Sequence, residues 1–377
     1  MKDKVMLLRC TGYGAEGLDE KVDAIFRELH IYEELSPGMT VVLKPNLVMT
    51  SKPEEAIITH PALVAAVGKC VQRAGAKVLI AESPGGPYTP MTMKAAFRGC
   101  GYTDMAEACG FSLYTDCESR EVPLPGGVRC RRMAIVSPFL GADYLIDLAK
   151  LKTHSMVGFS GAVKNMFGAV PGLKKPELHC RFPEKPEFSE MLLDLCDFLQ
   201  PALCITDGIW AMEGNGPTGG TRRDLGVLAA SKSPYAVDVC CAKLAGLEAG
   251  QVLMLRYAAE RGLVPQSIDG LELLGDSLES LSVPDFQKAE ASSTDFIDRL
   301  PRFLRPAAKK LATPYPRIEK KSCVGCGKCA ESCPQNTIEI KDHKAEIDYR
   351  RCIRCFCCHE MCPKHVIEIR RLRLFNV

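Results

Sequence analysis

Two stretches of the chain carry cysteines at a spacing suited to redox chemistry. Residues 322–340 read SCVGCGKCAESCPQNTIEI and residues 351–369 read RCIRCFCCHEMCPKHVIEI, so that Cys323 and Cys352 stand 29 positions apart. Each copy has the form C-x2-C-x2-C-x3-C-P. Three cysteines at this spacing let one tight loop wrap three corners of a cubane iron–sulfur core. The fourth, followed by proline, lies too far along to close the same core and ligates the other one. The expected ligand sets are therefore crossed. Cys323, Cys326, Cys329 and Cys362 hold one 4Fe–4S cluster, and Cys352, Cys355, Cys358 and Cys333 hold the second. Structural zinc uses paired C-x2-C units, and would leave the third cysteine and the C-P of each copy idle. Cys357 is a ninth cysteine in this region. Using it in place of Cys358 would break the register, so it is expected to be a bystander thiol, close enough to tune a cluster through a weak S–H···S contact.

The remaining candidates are polar residues that follow apolar runs: Lys44 and Asn46 after VVL, Ser83, Gly85 and Gly86 after VLIAE, Lys152 and His154 after LIDLAK, Lys164 and Asn165 in SGAVKNMFGAVPGLKK, and Glu213 and Asn215 in IWAMEGNGPTGG. Lys44, Lys152 and Lys164, with a helix N-terminus after Ser160-Gly161, could hold a phosphate or carboxylate. His154 could be a general acid, a ligand, a hydrogen-bond donor or a structural histidine. Glu213 and Asn215 sit between glycines, which let a ligand approach closely; the same residues also build turns. Asp207 could cap. Asp238 has three open readings, as ligand contact, helix-dipole partner or salt bridge. His179 lies in the polar stretch ELHCRFPEKPEF and is expected in a surface loop.

The elements that must position these residues alternate. VMLLRC, MTVVLK, KVLIAES, LCITDG, DLGVLAAS and IDGLELLG read as strands. LDEKVDAIFRELHIYEEL, PALVAAVGKCVQRAGA, EFSEMLLDLCDFL and YAVDVCCAKLAGL carry helical periodicity. The alternation predicts an α/β fold with a mostly parallel sheet and helices on both faces. In such sheets ligands bind beyond the carboxyl ends of the strands. The expected units are an α/β domain over 1–275, a basic Pro-rich linker with a short amphipathic helix over 276–315, and a small α+β ferredoxin-like dicluster domain over 316–377. GYGAEG at 12–17 matches a dinucleotide fingerprint in letters only. Its helix is expected near Asp19 and the second strand ends in Lys44 rather than an acid, so the match reads as accidental.

LKPNLV, AESPGG, LKTH…SGAVKNMFGAVPG…H and DGIWAMEGNGPTGG resemble, in this order, the family catalogued as domain of unknown function 362. Members of that family often carry a two-cluster ferredoxin domain at the C-terminus. The resemblance covers roughly residues 4–275 and the cluster region. It implies that the loops converge on one site and that the clusters serve it.

Composition narrows the classes further. Hydrophobic residues make up 46% and charged residues 25%, with a net charge of +2, so nothing points to nucleic acid or a membrane surface as partner. The chain has no run of 18 apolar residues, and MKDKVMLLRC is too short in apolar residues for an export signal. Disulfides therefore are not expected. Eleven further cysteines before residue 242 have no metal-like spacing and read as small thiols in a reducing cytoplasm, in an anaerobic or oxygen-avoiding cell. Two functions follow from these residues. One is an iron–sulfur oxidoreductase that passes low-potential electrons to a strand-end site, where an anionic small molecule or bound cofactor is reduced, with no further prosthetic group indicated by motif. The other is a non-catalytic carrier or accessory protein that presents the clusters to a partner. In either, the basic linker could dock an acidic protein such as a soluble ferredoxin or flavodoxin.

Overall fold

The computed structural model describes residues 2–283, 285–289 and 313–370. Its larger part is a nine-stranded sheet. The strands up to residue 275 are β1 (Lys4–Arg9), β2 (Thr40–Pro45), β3 (Lys77–Ile80), β4 (Ser112–Leu113), β5 (Ser119–Pro123), β6 (Arg132–Val136), β7 (Tyr144–His154), β8 (Gly158–Ser160), β9 (Leu203–Glu213), β10 (Thr221–Ser231) and β11 (Glu272–Gly275). The order is β11-β1-β10-β9-β7-β2-β3-β4, with β8 against β7, while β5 and β6 form a separate hairpin. β2, β3, β4, β7 and β9 are mutually parallel, as are β1 and β11; β10 runs against β1 and β9, and β8 against β7. The fold is thus α/β with a mostly parallel sheet.

The two-residue alternation of each strand feeds two cores, one per face. Val5 and Leu7 enter one core and Met6 the other. In β7, Leu145, Ala149 and Leu151 face the first, and Ile146 and Leu148 the second. Helices cover both faces because their apolar positions recur at three and four. In Pro61–Arg73, Leu63, Val64, Val67, Cys70 and Val71 are buried, proline opens the helix, and the His60 ring accepts from the Ala62 N–H at 3.1 Å. Burying each such side chain is worth about 1.5–3 kcal/mol. The opposite face carries Lys185–Leu199 and Pro234–Leu244, the second begun by Ser233, whose hydroxyl accepts from the Ala236 N–H at 3.2 Å.

Four differences from the sequence reading concern the site. β7 and β9 each run for 11 residues, so Lys152, His154 and Glu213 are strand residues rather than loop residues. They stay in the ladder because β8 and β9 pair with the end of β7, and β10 with the end of β9. His179 lies in the helix Lys174–Arg181 and is buried, its ring stacked on Phe188 at 4.3 Å. The first helix opens at Ala15, inside the glycines of GYGAEG. Of the expected linker, residues 290–312 lie outside the described residues. The part before them is not a tether: Leu278, Leu281, Phe286 and Ala289 are buried against the α/β domain.

The second unit contains β12 (Tyr315–Ile318), β13 (Ile338–Lys341), β14 (Lys344–Ile347) and β15 (Ile367–Arg370). β12 pairs with β15 and β13 with β14. The 29-residue repeat is also a repeat of backbone. Gly325 and Arg354, Gly327 and Phe356, and Asn336 and His365 all have positive φ at matching positions. Non-glycine residues adopt this conformation at a cost, and in the second copy two of them have a use. Phe356 is buried in a core of the α/β domain, and Arg354 donates to the Thr313 carbonyl at 2.7 Å. The second cysteine loop is therefore the one that docks.

Candidate functional site

β2 and β7 lie side by side, but the chain leaves β2 towards β3 on one side and leaves β7 towards β9 on the other. Crevices form where the order reverses in this way. Here the cysteine-rich unit covers the crevice from above, leaving a cavity of about 80 Å³. The sheet side supplies Asn46, Glu82, Ser83, Gly85, Gly86, Lys164, Asn165, Phe167, Lys175 and His179; the other side supplies Ser332, Cys357, Glu360 and Met361.

At the base, the polar side chains form a buried network in which, among the described residues, only Glu82 Oε2 and Asp147 Oδ2 lack a hydrogen-bond partner. Lys44, fully buried, donates to Glu82 Oε1 at 2.7 Å and to the Pro45 carbonyl at 3.1 Å. Gly168 permits this pair, because a Cβ there would sit 1.9 Å from Glu82 Oε1 and 2.5 Å from Lys44 Nζ. Lys152 donates to Asn46 Oδ1 and the Ile57 carbonyl, both at 2.9 Å; Asn46 donates to Asn165 Oδ1 at 2.8 Å, and Asn165 to Asp147 Oδ1 at 2.6 Å. Burial, reinforced by the nearby Lys164, pushes Lys152 down to about 7. Burial likewise drives Asp147 well above the carboxylate range, despite Lys44.

The cavity wall is less satisfied. Lys164 has no hydrogen bond or ion pair among the described residues; its ammonium lies 4.8 Å from the centre of the Phe167 ring. Lys175 reaches only oxygens without charge, the Ser83 carbonyl at 2.5 Å and the Val170 carbonyl at 2.6 Å, and burial pushes it down to about 7. Burial also pushes His179 down to about 3, and among the described residues its Nδ1 has no hydrogen-bond partner. His154 accepts from the Met156 N–H at Nδ1, 3.1 Å, which leaves the proton on Nε2, 3.4 Å from Glu360 Oε1. Burial, with Lys164 and Lys152 nearby, holds His154 far below the usual histidine range, so the ring is neutral.

Of the expected site residues, the structure brings Asn46, Ser83, Gly85, Gly86, Lys164 and Asn165 to the cavity wall, with Lys44, Lys152 and His154 directly behind. It takes Glu213 and Asn215 elsewhere. Glu213 accepts from the Gln287 N–H at 3.1 Å and lies 4.0 Å from Arg223, tying down the chain after β11. Asn215 offers its backbone carbonyl to His359 Nε2 at 3.1 Å. That loop is a docking surface: a Cβ on Gly219 would stand 2.5 Å from the His359 ring. The helix N-terminus after Gly161 is not open to an anion, because Asp238 already accepts from the Ala162 and Val163 N–H groups at 2.6 and 3.0 Å. Asp207 pairs with Lys150 at 2.9 Å, Tyr13 donates to it at 2.7 Å, and it also accepts the His60 N–H at 3.0 Å where the helix Pro61–Arg73 begins. Sequence reasoning missed Lys175 and Glu360. Lys175 follows Lys174, which is exposed and pairs with Glu177, and nothing local separates the two.

The cysteines fit iron–sulfur ligation. Cys323, Cys326, Cys329 and Cys362 ring one opening, whose other walls include Ile318, Ala345 and Ile367. Cys358 lies among Cys352, Cys355 and Cys333 as well as Cys329. Among the described residues no three potential ligands crowd around a single-ion position; four thiols around an opening suit a polynuclear core. Cys323 Sγ accepts from the Ala345 N–H at 3.5 Å and Cys333 Sγ from the Thr337 N–H at 3.3 Å, contacts of the kind that tune a cluster.

Comparison with known proteins gives two family matches. Residues 41–243 match the family described as Domain of unknown function (DUF362), and residues 315–363 match a 4Fe-4S dicluster domain. Thylakoid-associated protein sll1697 of Synechocystis is 31% identical over 271 residues, which is 71% of this chain and 83% of that protein. Among solved structures, the lactate racemase apoprotein of Thermoanaerobacterium thermosaccharolyticum is similar at 15% identity and a TM-score of 0.40, over 64% of this chain and 57% of that one. A protein of Thermotoga maritima is similar at 11% identity and a TM-score of 0.36, over 64% and 61%. No helix among the described residues is long and apolar enough to cross a membrane. The chain is an iron–sulfur protein, and it belongs to the DUF362 family, joining that domain to a 4Fe-4S dicluster domain.

Proposed function

We propose that the protein is an oxidoreductase that reduces a small anionic molecule, or a bound anionic cofactor, in the cavity between its two units. The observation that carries this reading is the composition of the cavity wall. Lys164 and Lys175, two cations without an acidic partner in hydrogen-bond reach, face Cys357 and Glu360 from the cysteine loop that holds Cys355 and Cys358. When bound, two 4Fe–4S clusters on the crossed cysteine sets supply electrons one at a time. The chain's own residues do the rest. Lys164 and Lys175 hold the anion, and the Ser83–Gly86 backbone approaches it closely. Phe167 and His179 form an apolar flank that excludes water. His154 Nε2 lies 3.4 Å from Glu360 Oε1, without a hydrogen bond among the described residues, and in this reading the pair passes a proton to the ligand. Lys44 and Lys152 position: they brace Glu82 and Asn46.

Electrons enter from outside through the first cysteine loop, where Cys326 and Val324 are exposed. A surface depression on the same unit carries Arg317, Lys320, Lys321 and Arg370 together with Glu319, Glu346 and Glu368, and Lys320 pairs with Glu346 and Arg370 with Glu368, so its charges are mixed and select no sign of partner. This exposed loop also favours the second reading, a carrier that passes electrons on to a partner. Anaerobic purification followed by mass spectrometry of co-purifying compounds separates the two. The enzyme reading expects an anionic compound that is lost from Lys164→Gln while iron content is kept, and that is chemically altered when the protein is reduced. A bound compound that survives reduction unchanged favours the carrier.

A further inference from the structure

The cavity does not close at Met361. Gly85, Gly86, Ser332 and Met361 form a partition, and beyond it lies a second cleft of about 350 Å³ between the two units. The walls of this cleft are largely apolar. Met49, Pro84 and Pro87 come from loops after β2 and β3, Met93 and Ala95 from the helix Pro90–Gly99, and Pro363 from the cysteine-rich unit. Its charged residues, Lys328 and Glu331, pair with each other at 3.0 Å and so place no unmatched charge in the cleft. Met91, on the same helix, is 78% exposed.

The partition is thin and soft. A Cβ on Gly85 would stand 2.4 Å from Met361 Sδ, and one on Gly86 3.6 Å from Met361 Cε, so the methionine lies directly on a glycine backbone. Methionine has three rotatable bonds and no strongly polar atom, so it can swing aside without leaving a hydrogen bond unmade. The cationic wall and the apolar cleft therefore adjoin across one flexible side chain. A wholly polar ligand would use the first and leave the second wet.

We infer that the ligand is an amphiphile. Its anionic head, a carboxylate or phosphate, sits at Lys164 and Lys175, and its apolar tail passes Met361 into the cleft. The head position rests on the proposed function above; the tail does not.

The test is calorimetric titration of the anaerobically purified, iron-loaded full chain with butanoate, octanoate and octyl phosphate. Octanoate is expected to bind at least tenfold more tightly than butanoate, since each buried methylene contributes up to about fourfold. Ala95→Trp, which narrows the cleft, should remove that advantage, while Lys164→Gln should weaken butanoate and octanoate by the same factor. Iron content and melting temperature report whether each variant folds, and Ala95→Phe is the smaller replacement if Ala95→Trp loses iron. Octyl phosphate against octanoate tells which head the cations prefer. Equal affinities for butanoate and octanoate, or a length advantage that survives both Ala95 variants, would overturn the tail. A length advantage that Lys164→Gln leaves untouched in absolute affinity would overturn the anion site of the proposed function instead.

Discussion

The buried Lys44–Glu82 pair sets the floor of the cavity, and Glu82→Gln tests what it contributes. The side chains are 0% and 4% exposed, and Nζ and Oε1 are 2.7 Å apart. Gln keeps the shape and an acceptor oxygen, so the substitution removes charge and little else. It leaves Lys44 with the Pro45 carbonyl and a neutral amide, an uncompensated ammonium in the interior. Breaking a buried pair from one side costs about 3–5 kcal/mol. At about 2–4 °C per kcal/mol for a domain of this size, the melting temperature should fall by about 6–20 °C. Lys44→Met with Glu82→Gln removes the stranded charge and should recover at least half of the loss, because well-packed apolar replacements of buried pairs are tolerated. Thermal unfolding followed by circular dichroism under anaerobic conditions measures all three proteins. If Glu82→Gln melts within about 2 °C of the parent, or the double variant is no better than the single one, the pair does not carry the electrostatic role assigned to it.

Three further outcomes are expected. Burial pushes Lys152 down to about 7 in the fold from an ordinary 10.5. Between these values the unfolded chain binds the extra proton, so stability should rise with pH from about 7 towards 10.5, by up to about 1.4 kcal/mol per unit from this group. Denaturation curves across that range should show the slope reduced in Lys152→Met. Cys333→Ser should disrupt the cluster held by Cys352, Cys355 and Cys358 rather than the one formed by its own neighbours, whereas Cys357→Ser should keep about eight irons per chain and Cys358→Ser should not; iron and sulfide analysis with electron paramagnetic resonance reads both. Gly219→Val pushes a side chain into the His359 ring, and overpacking of this kind costs about 1–3 kcal/mol. Cluster absorbance should be retained at room temperature but lost at a lower temperature on heating.

The sequence by itself determined what depends on neighbours along the chain. The cysteine spacing is local, because a cubane core is wrapped by one short loop, and the same 29-residue period returns in the backbone as paired left-handed residues such as Asn336 and His365. Strand–helix alternation was legible for a similar reason: residues two apart in a strand, or three and four apart in a helix, share a face. The strand ends also pointed to one edge of the sheet, where Asn46, Ser83, Lys164 and Asn165 do meet. Tertiary structure decided which polar groups remain available there. Asp238, some 75 residues away, fills the helix start at Ala162 that looked open to an anion. Glu213 turns to the chain beyond β11, and His179 is drawn into an aromatic stack. Lys174 and Lys175 are adjacent and identical in type, yet one pairs with Glu177 in solvent and the other bridges two buried carbonyls at the cavity wall. The final wall, Cys357, Glu360 and Met361, comes from the cysteine-rich unit, far along the chain from the strand-end loops. No local pattern encodes such placements, because each is set by packing between segments far apart in sequence and by which charge finds its partner first within the fold.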